Sequence, residues 1–230
     1  MKHLVIGMGE VGTALAAILG SYTHTLDAKN SKEPFREGPY EVVHICFPYS
    51  SIFLAEVEGY KKRFNPQVLI IHSSVPVGTS DKLGAVYSPV RGVHPDLALG
   101  MRTITKYFAG LKAGKAASYF STLGIPVRVL SDTRTLEAAK LWDTTVYGLS
   151  ILLEKEMWAY ARENGLDFEI MYREFTATYN MGYSKLGMPH VVRPWLMHAD
   201  GKIGGHCVLE NAALLDSPSA KRLIKENKKL

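Results

Sequence analysis

Residues 2 to 27 constrain the fold more than any other part of the chain. Lys2-His3-Leu4-Val5-Ile6 is a short β-rich run, and Gly7-Met8-Gly9-Glu10-Val11-Gly12 follows at once. Thr13-Ala14-Leu15-Ala16-Ala17-Ile18-Leu19 is then a strong helix former that stops at Gly20. His24-Thr25-Leu26-Asp27 reads as the end of a second strand. A strand, a Gly-x-Gly-x-x-Gly turn, a helix and an acidic residue about 20 residues further on make one β-α-β unit. The glycines allow a tight turn and let the backbone approach a pyrophosphate, which the amino end of the helix stabilises. Asp27 would accept hydrogen bonds from a ribose 2′-hydroxyl, which favours NAD over its 2′-phosphorylated relative. The residues alone also fit a glycine turn in an ordinary α/β domain. With the four elements in register, Gly7, Met8, Gly9, Glu10, Val11, Gly12 and Asp27 form the expected cofactor site, with NAD as cofactor.

The downstream pattern supports the same class. Val42–Phe47, Val68–Ile71 and Pro126–Leu130 are apolar runs suited to buried strands, and residues 51–64 and 115–123 are helical by pattern. The polar stretch 28–40 reads as a loop. Strands alternating with helices imply a mostly parallel, doubly wound sheet. Around Ser131 the pattern changes. Ser131-Asp132-Thr133 offers N-caps, and a long helical pattern runs to Asn164-Gly165. Its stretch from Thr144 to Leu153 carries no charge, so burial on most sides is expected. A helix from Asp167 to Met181, ended by Gly182, an irregular stretch over 187–205 and two helices at 207–215 and 219–229 complete the reading. The expected organisation is a Rossmann-type α/β domain over residues 1–131, then a smaller all-helical domain over 132–230.

Composition removes several alternatives. The 230 residues are 47% hydrophobic and 21% charged, which excludes wholesale disorder. The apolar runs stop short of the ~20 residues a membrane span needs. The amino-terminal run ends in a glycine turn without a cleavage-type site, unlike a signal peptide. Two cysteines make no disulfide framework, so a cytoplasmic location is expected. Eight histidines include no HExxH, and the cysteines make no CxxC, so no metal site is expected. No nucleophile elbow, P-loop or nucleic-acid module is present. Of the net charge of +5, residues 217–230 carry +4, so the rest of the chain is near neutral. That tail reads either as a solvated helix or as a source of anion contacts.

Three further motifs carry chemistry. Ser73-Ser74-Val75-Pro76-Val77-Gly78-Thr79 follows a strand directly, where such folds bind ligands, and its hydroxyls suit either a cofactor contact or a turn. Lys140 lies among apolar neighbours in Glu137-Ala138-Ala139-Lys140-Leu141-Trp142, with Thr144 and Gly148 on the same helical face. A partly desolvated lysine there would move a proton or hold an alkoxide; otherwise it lays its stem along the surface. Cys207, after Ile203-Gly204-Gly205-His206, stands at a helix start. It reads either as an activated thiol or as a small hydrophobe at a turn. Cys46, inside an apolar strand, reads as a small buried hydrophobe.

The order GMGEVG, HICFP, SSVPVGTS, YSP, EAAKLW, ENGLD and IGGHC resembles the UDP-glucose/GDP-mannose dehydrogenases over nearly the whole chain. The resemblance implies a two-step, NAD-dependent oxidation of a sugar alcohol to a carboxylate. It implies that Cys207 traps the aldehyde as a thiohemiacetal and then a thioester, that Lys140 stabilises oxyanions, and that Ser74 positions the hydrolytic water. Phe47 and Pro48 of HICFP and Ser73 join the cofactor site. The chain departs from the family where Thr144 replaces an asparagine, Val90 an acidic residue, Asn211 a water-activating aspartate and Lys202 a glycine. It also stops where members begin a third, nucleotide-gripping domain. Thr144 and Asn211 are counted with the catalytic candidates. The expected partner is a small anionic substrate, a sugar or nucleotide sugar. Neither nucleic acid nor membrane is expected. The long helix with Trp142, Trp158 and Tyr160 suggests a homodimer. The other readings are a single-step β-hydroxyacid-type dehydrogenase using Lys140, and an NAD-binding homologue without turnover.

Overall fold

Apolar runs four residues long, buried on both faces, dictate the centre of the molecule. β1 (His3–Ile6), β3 (Val42–Ile45) and β4 (Val68–Ile71) have no exposed residue, the pattern of a parallel sheet covered on both sides. The structure, a computed structural model, describes residues 2–27, 39–92, 96–204 and 206–230. Most of the loop expected over 28–40, and Gly205, lie outside the described residues. The chain divides into two compact units, Met1–Lys140 and Leu141–Leu230.

The first unit is a seven-stranded Rossmann-like α/β sheet in the order β2-β1-β3-β4-β5-β6-β7. β2 (Thr23–Leu26) and β7 (Val127–Leu130) form the edges, and β5 (Val86–Tyr87) and β6 (Lys106–Ala109) complete it. All neighbours are parallel except the β5–β6 pair. β5 and β6 were not visible as runs: one is two residues long, and the other begins with a lysine.

Helices α1 (Glu10–Leu19) and α5 (Ala113–Thr122) contribute Leu15, Ile18 and Phe120 to the core with Val5 and Ile70. α2 (Phe53–Phe64) contributes Phe53 and Val57 to the cluster that holds Leu4, Ile6, Val43 and Ile45. Alternation along each strand separates the two faces. The short helices α3 (Thr79–Leu83) and α4 (Leu97–Thr103) complete the unit.

The long helix α6 (Thr133–Glu163) begins in the first unit and continues into the second. In the second unit a π-helical turn, Glu169–Glu174, leads into α7 (Phe175–Lys185), followed by α8 (His206–Ala213) and α9 (Pro218–Asn227). Gly182 does not end its helix. A Cβ there would meet nothing within 4 Å, and α7 continues through it to Lys185. The uncharged stretch of α6 is not buried on most sides either, because Val146, Tyr147 and Leu153 are exposed.

The opposite stripe packs. A Cβ on Gly148 would stand 2.6 Å from both Leu223 and Val208, so α8 and α9 lie close against α6. The tail expected as a basic helix is α9, seated by Leu223 and by Asn227, whose Oδ1 accepts from the Ile203 N–H at 2.7 Å.

The irregular stretch before α8 is tied down side chain by side chain. His198 Nδ1 lies 2.8 Å from Glu154 Oε1 and stacks on Trp158. Lys155 donates to the Ala199 carbonyl, Leu196 N–H donates to the Tyr172 hydroxyl at 3.0 Å, and Asn180 brackets the Arg193 backbone.

Candidate functional site

β2 and β3 leave β1 on opposite sides, so a switch point opens beyond the carboxyl ends of β1 and β3. The three glycines of the turn do three different things there. Gly7 adopts φ +93°, donates its N–H to the Leu26 carbonyl at 2.8 Å, and a Cβ on it would stand 2.8 Å from the Phe47 nitrogen. Only glycine fits both demands. A Cβ on Gly12 would stand 1.9 Å from the Gly7 carbonyl oxygen, so the first turn of α1 packs directly on the strand end. Gly9 has nothing within 4 Å of that position, and no side chain caps the helix it begins. Met8 and Val11 are half-buried against the core, and Glu10 is exposed in the first turn of α1. Asp27 is half-buried directly after β2, next to the residue that receives the Gly7 N–H.

Phe47 and Pro48 follow β3 at the same edge. Phe47 packs on Phe53, and its carbonyl accepts from the Ser73 hydroxyl at 2.6 Å. Ser74, beside it, is half-buried, and Pro48 is exposed. Cys46 is buried as expected, and its thiol is pushed up to about 12, chiefly by burial.

Glu137, one turn before Lys140 on α6, clamps the SSVPVGTS segment. Its carboxylate accepts from Gly78 N–H at 2.5 Å and Ser80 N–H at 2.8 Å. Burial raises its pKa against these bonds. Lys140 is half-buried and donates from Nζ to the Val90 carbonyl at 3.1 Å. The structure thus brings together Gly7 with Phe47, Ser73 with Phe47, and Lys140 with Val90.

In the second unit Cys207 lies in the first turn of α8 and is exposed. Asn211, one turn on, is buried and donates from Nδ2 to Thr144 Oγ at 3.1 Å. Thr144 donates in turn to the Leu141 carbonyl at 3.1 Å. Thr144 and Asn211 therefore meet between α6 and α8.

Three residues escaped the motif reading: Glu137, His72 and Lys106. Glu137 stood inside EAAKLW but looked like any surface glutamate. His72 has a visible signal, since it adjoins the uncharged apolar run Val68–Ile71, whereas Lys106 adjoins no run that the sequence shows.

No family model matches the sequence, and no curated protein matches it. Solved structures do. The UDP-D-ManNAc dehydrogenase from Pyrococcus horikoshii has a TM-score of 0.76 at 17% identity, covering 100% of this chain and 68% of that one. The UDP-glucose dehydrogenase from the archaeon Pyrobaculum islandicum has a TM-score of 0.67 at 14% identity, covering 100% and 68%. The Mycobacterium tuberculosis 3-hydroxyisobutyrate dehydrogenase has a TM-score of 0.71 at 14% identity, covering 100% and 93%. At such identities the likeness is one of fold: this chain has the fold of the UDP-sugar and 3-hydroxyacid dehydrogenases and is shorter than the former. Among the described residues, no helix is long and apolar enough to cross a membrane.

Proposed function

We propose that this chain is an NAD-dependent dehydrogenase that oxidises a CH–OH group of a small anionic, sugar-derived substrate. The observation that carries the reading is the glycine turn at the switch point. Gly7 and Gly12 are each filled by close backbone, while Gly9 leaves open the one approach a pyrophosphate needs. The amino end of α1, which its N-cap residue, Gly9, does not cap through a side chain, suits its negative charge, and Asp27 suits a ribose 2′-hydroxyl, hence NAD rather than NADP. The likeness in fold to UDP-sugar dehydrogenases supports the sugar-derived substrate. A nicotinamide cofactor, when bound, supplies the hydride acceptor.

The residues of the chain supply the rest. Lys140, fixed on the Val90 carbonyl, takes the proton of the alcohol as the neutral amine or holds the alkoxide as the ammonium. Ser73, Phe47 and Pro48 line the cofactor side, and Ser74 holds water. Cys207 is exposed, so its thiolate can add to an aldehyde carbonyl and form a thiohemiacetal. A second two-electron oxidation makes the thioester, and water then releases the carboxylate. Asn211 is no base in that last step, because a carboxamide accepts no proton near neutral pH; its Nδ2 donates to Thr144. A free, exposed thiol suits a reducing, cytoplasmic compartment.

NADH yield per substrate tests the reading. Two NADH per substrate, falling to one in Cys207→Ser, supports the covalent route. One NADH in the wild type, with no thioester by mass spectrometry, assigns a single-step β-hydroxyacid-type oxidation instead. NAD binding without NADH across a wide panel leaves a non-catalytic homologue.

The second unit supports a homodimer. Tyr147, Leu153, Tyr160, Phe175 and Met181 are all exposed on α6 and α7. Exposed apolar residues in such number mark a surface that another chain covers. Light scattering at micromolar concentration is expected to give twice the chain mass; monomer would refute it.

A further inference from the structure

Four basic side chains lie in the core of the sheet. His3 in β1, His44 in β3, His72 just after β4 and Lys106 at the start of β6 are all buried. Register explains how they line up. His3 stands opposite Val42, two residues before His44, and His44 stands opposite Ile70, two residues before His72. Each step between strands therefore climbs two residues on the same face. The row runs diagonally from the amino edge of the sheet to its carboxyl edge. β6 runs antiparallel to β5, which brings its first residue, Lys106, to that carboxyl edge.

The aromatic rings of α5 cover the row. His3 meets Tyr119 at 4.4 Å between ring centres, His44 and His72 face Phe120, and Lys106 lies over Phe108 and Phe120.

Every ring nitrogen but one is engaged. His3 Nδ1 lies 2.9 Å from His44 Nε2, and His44 Nδ1 lies 3.0 Å from His72 Nε2. His72 Nδ1 lies 2.8 Å from the Ser88 carbonyl and 3.4 Å from Lys106 Nζ, which is itself 3.3 Å from that carbonyl. The exception is His3 Nε2, buried without a hydrogen bond. The rings face one another in a line and do not converge on a point.

Burial disfavours the charged form of these groups. It holds His44 and His72 well below the ordinary histidine range, lowers His3 to about 4, and lowers Lys106 to about 7. Cys46 acts on Lys106 in the opposite sense and Lys140 in the same sense. The amino-terminal charge lowers His3, and Glu41 raises it.

Geometry allows two proton arrangements. A carbonyl only accepts, so while Lys106 is neutral, His72 carries its proton on Nδ1 and directs it at Ser88. His72 Nε2 then accepts from His44 Nδ1–H, His44 Nε2 accepts from His3 Nδ1–H, and His3 Nε2 is bare. A charged Lys106 has no lone pair and donates to both the Ser88 carbonyl and His72 Nδ1. His72 then carries its proton on Nε2, as do His44 and His3 in turn. The two arrangements differ by one proton. It enters at His3 Nε2 and appears on Lys106, while each imidazole gains a proton on Nε2 and passes one on from Nδ1. No ring turns, and no imidazole ends charged.

We propose that His3, His44, His72 and Lys106 form a proton relay through the sheet, which offsets charge at the carboxyl edge when Lys140 takes up the substrate proton. The use in turnover rests on the dehydrogenase reading; the relay itself does not. Lys140 is anchored on the Val90 carbonyl, two residues beyond Ser88. As Lys140 gains a proton, repulsion favours loss of one from Lys106, through His72 and His44 to His3. The four are positioning residues and touch no substrate.

Nitrogen-15 NMR of the full chain between pH 9 and 5.5 tests the relay. The expected result is three neutral imidazoles protonated on Nδ1 at high pH, all switching to Nε2 with one shared midpoint as Lys106 titrates. An imidazole that stays on Nδ1, or becomes charged, while Lys106 titrates overturns it. His44→Gln keeps hydrogen bonds on both sides but cannot pass a proton. Exchange of the Lys106 ammonium with solvent should then slow at least roughly tenfold; an unchanged rate refutes the relay. Should that variant not fold, Lys106→Met decides: His72 must hold Nδ1–H throughout, and a switch without Lys106 refutes it. In turnover at low buffer, His44→Gln should lower kcat about tenfold, with recovery on adding imidazole. Unchanged kcat overturns the use in turnover. A coupled tautomer switch in a wild-type chain that makes no NADH overturns the dehydrogenase reading and leaves the relay standing.

Discussion

The two units of this chain solve burial in opposite ways. The sheet unit closes on itself. Its central strands have no exposed residue, and its buried carboxylate, Glu137, finds partners on the backbone of Gly78 and Ser80. The helical unit stays open: Phe175 is 67% exposed and Met197 76%, and its clusters of buried residues are small. A covered parallel sheet must satisfy every backbone group and fill both faces from within one chain. A helix satisfies its own backbone and can leave an apolar stripe for another chain to cover. The contrast also separates the chemistry. The sheet unit supplies close-packed backbone and buried titratable groups, while the helical unit presents its thiol on the surface.

The largest expected break in that contrast is Gly12→Ala. The added methyl meets the Gly7 oxygen where neither backbone can yield, so about 3 kcal/mol or more of stability should be lost. The neighbouring Gly9→Ala meets nothing, and its melting temperature should stay within a degree or two of wild type while NAD affinity falls. Equal melting temperatures for the two variants would show that the turn is not packed as described.

Next comes Glu137→Ala, which strands two N–H groups and should cost about 2–3 kcal/mol in chemical denaturation. A loss under half of that would mean that water replaces the carboxylate, and the unit is less closed than claimed. Smallest is Thr144→Val in the open unit. It removes the acceptor of Asn211 and should cost about 1 kcal/mol.

How much of this could be read from the residues follows from how local each feature is. β1, the glycine turn and α1 lie within one stretch, and periodicity and glycine placement carried them. α6 was equally plain, from its cap candidates to Asn164-Gly165. β5 and β6 were not, because a two-residue strand has no period and Lys106 interrupts the apolar signal of the other. The exposure of Val146, Tyr147 and Leu153 departs from the expected burial, because an uncharged run does not by itself say which of its faces is packed. His3, His44 and His72 were each visible as a histidine in or beside an apolar run. Their alignment depends on strand register, which joins residues about forty and thirty positions apart and leaves no local mark.

The central claim is that the glycine turn of the closed unit serves a nicotinamide dinucleotide for turnover. Calorimetric titration of the full chain and of Gly9→Ala with NAD and with NADP tests it most directly. The expected result is one NAD site per chain, weaker binding of NADP because Asp27 repels a 2′-phosphate, and loss of at least roughly tenfold in NAD affinity in a Gly9→Ala variant that melts like wild type. Equal NAD affinity in the two proteins, or no binding by the wild type, would contradict the account.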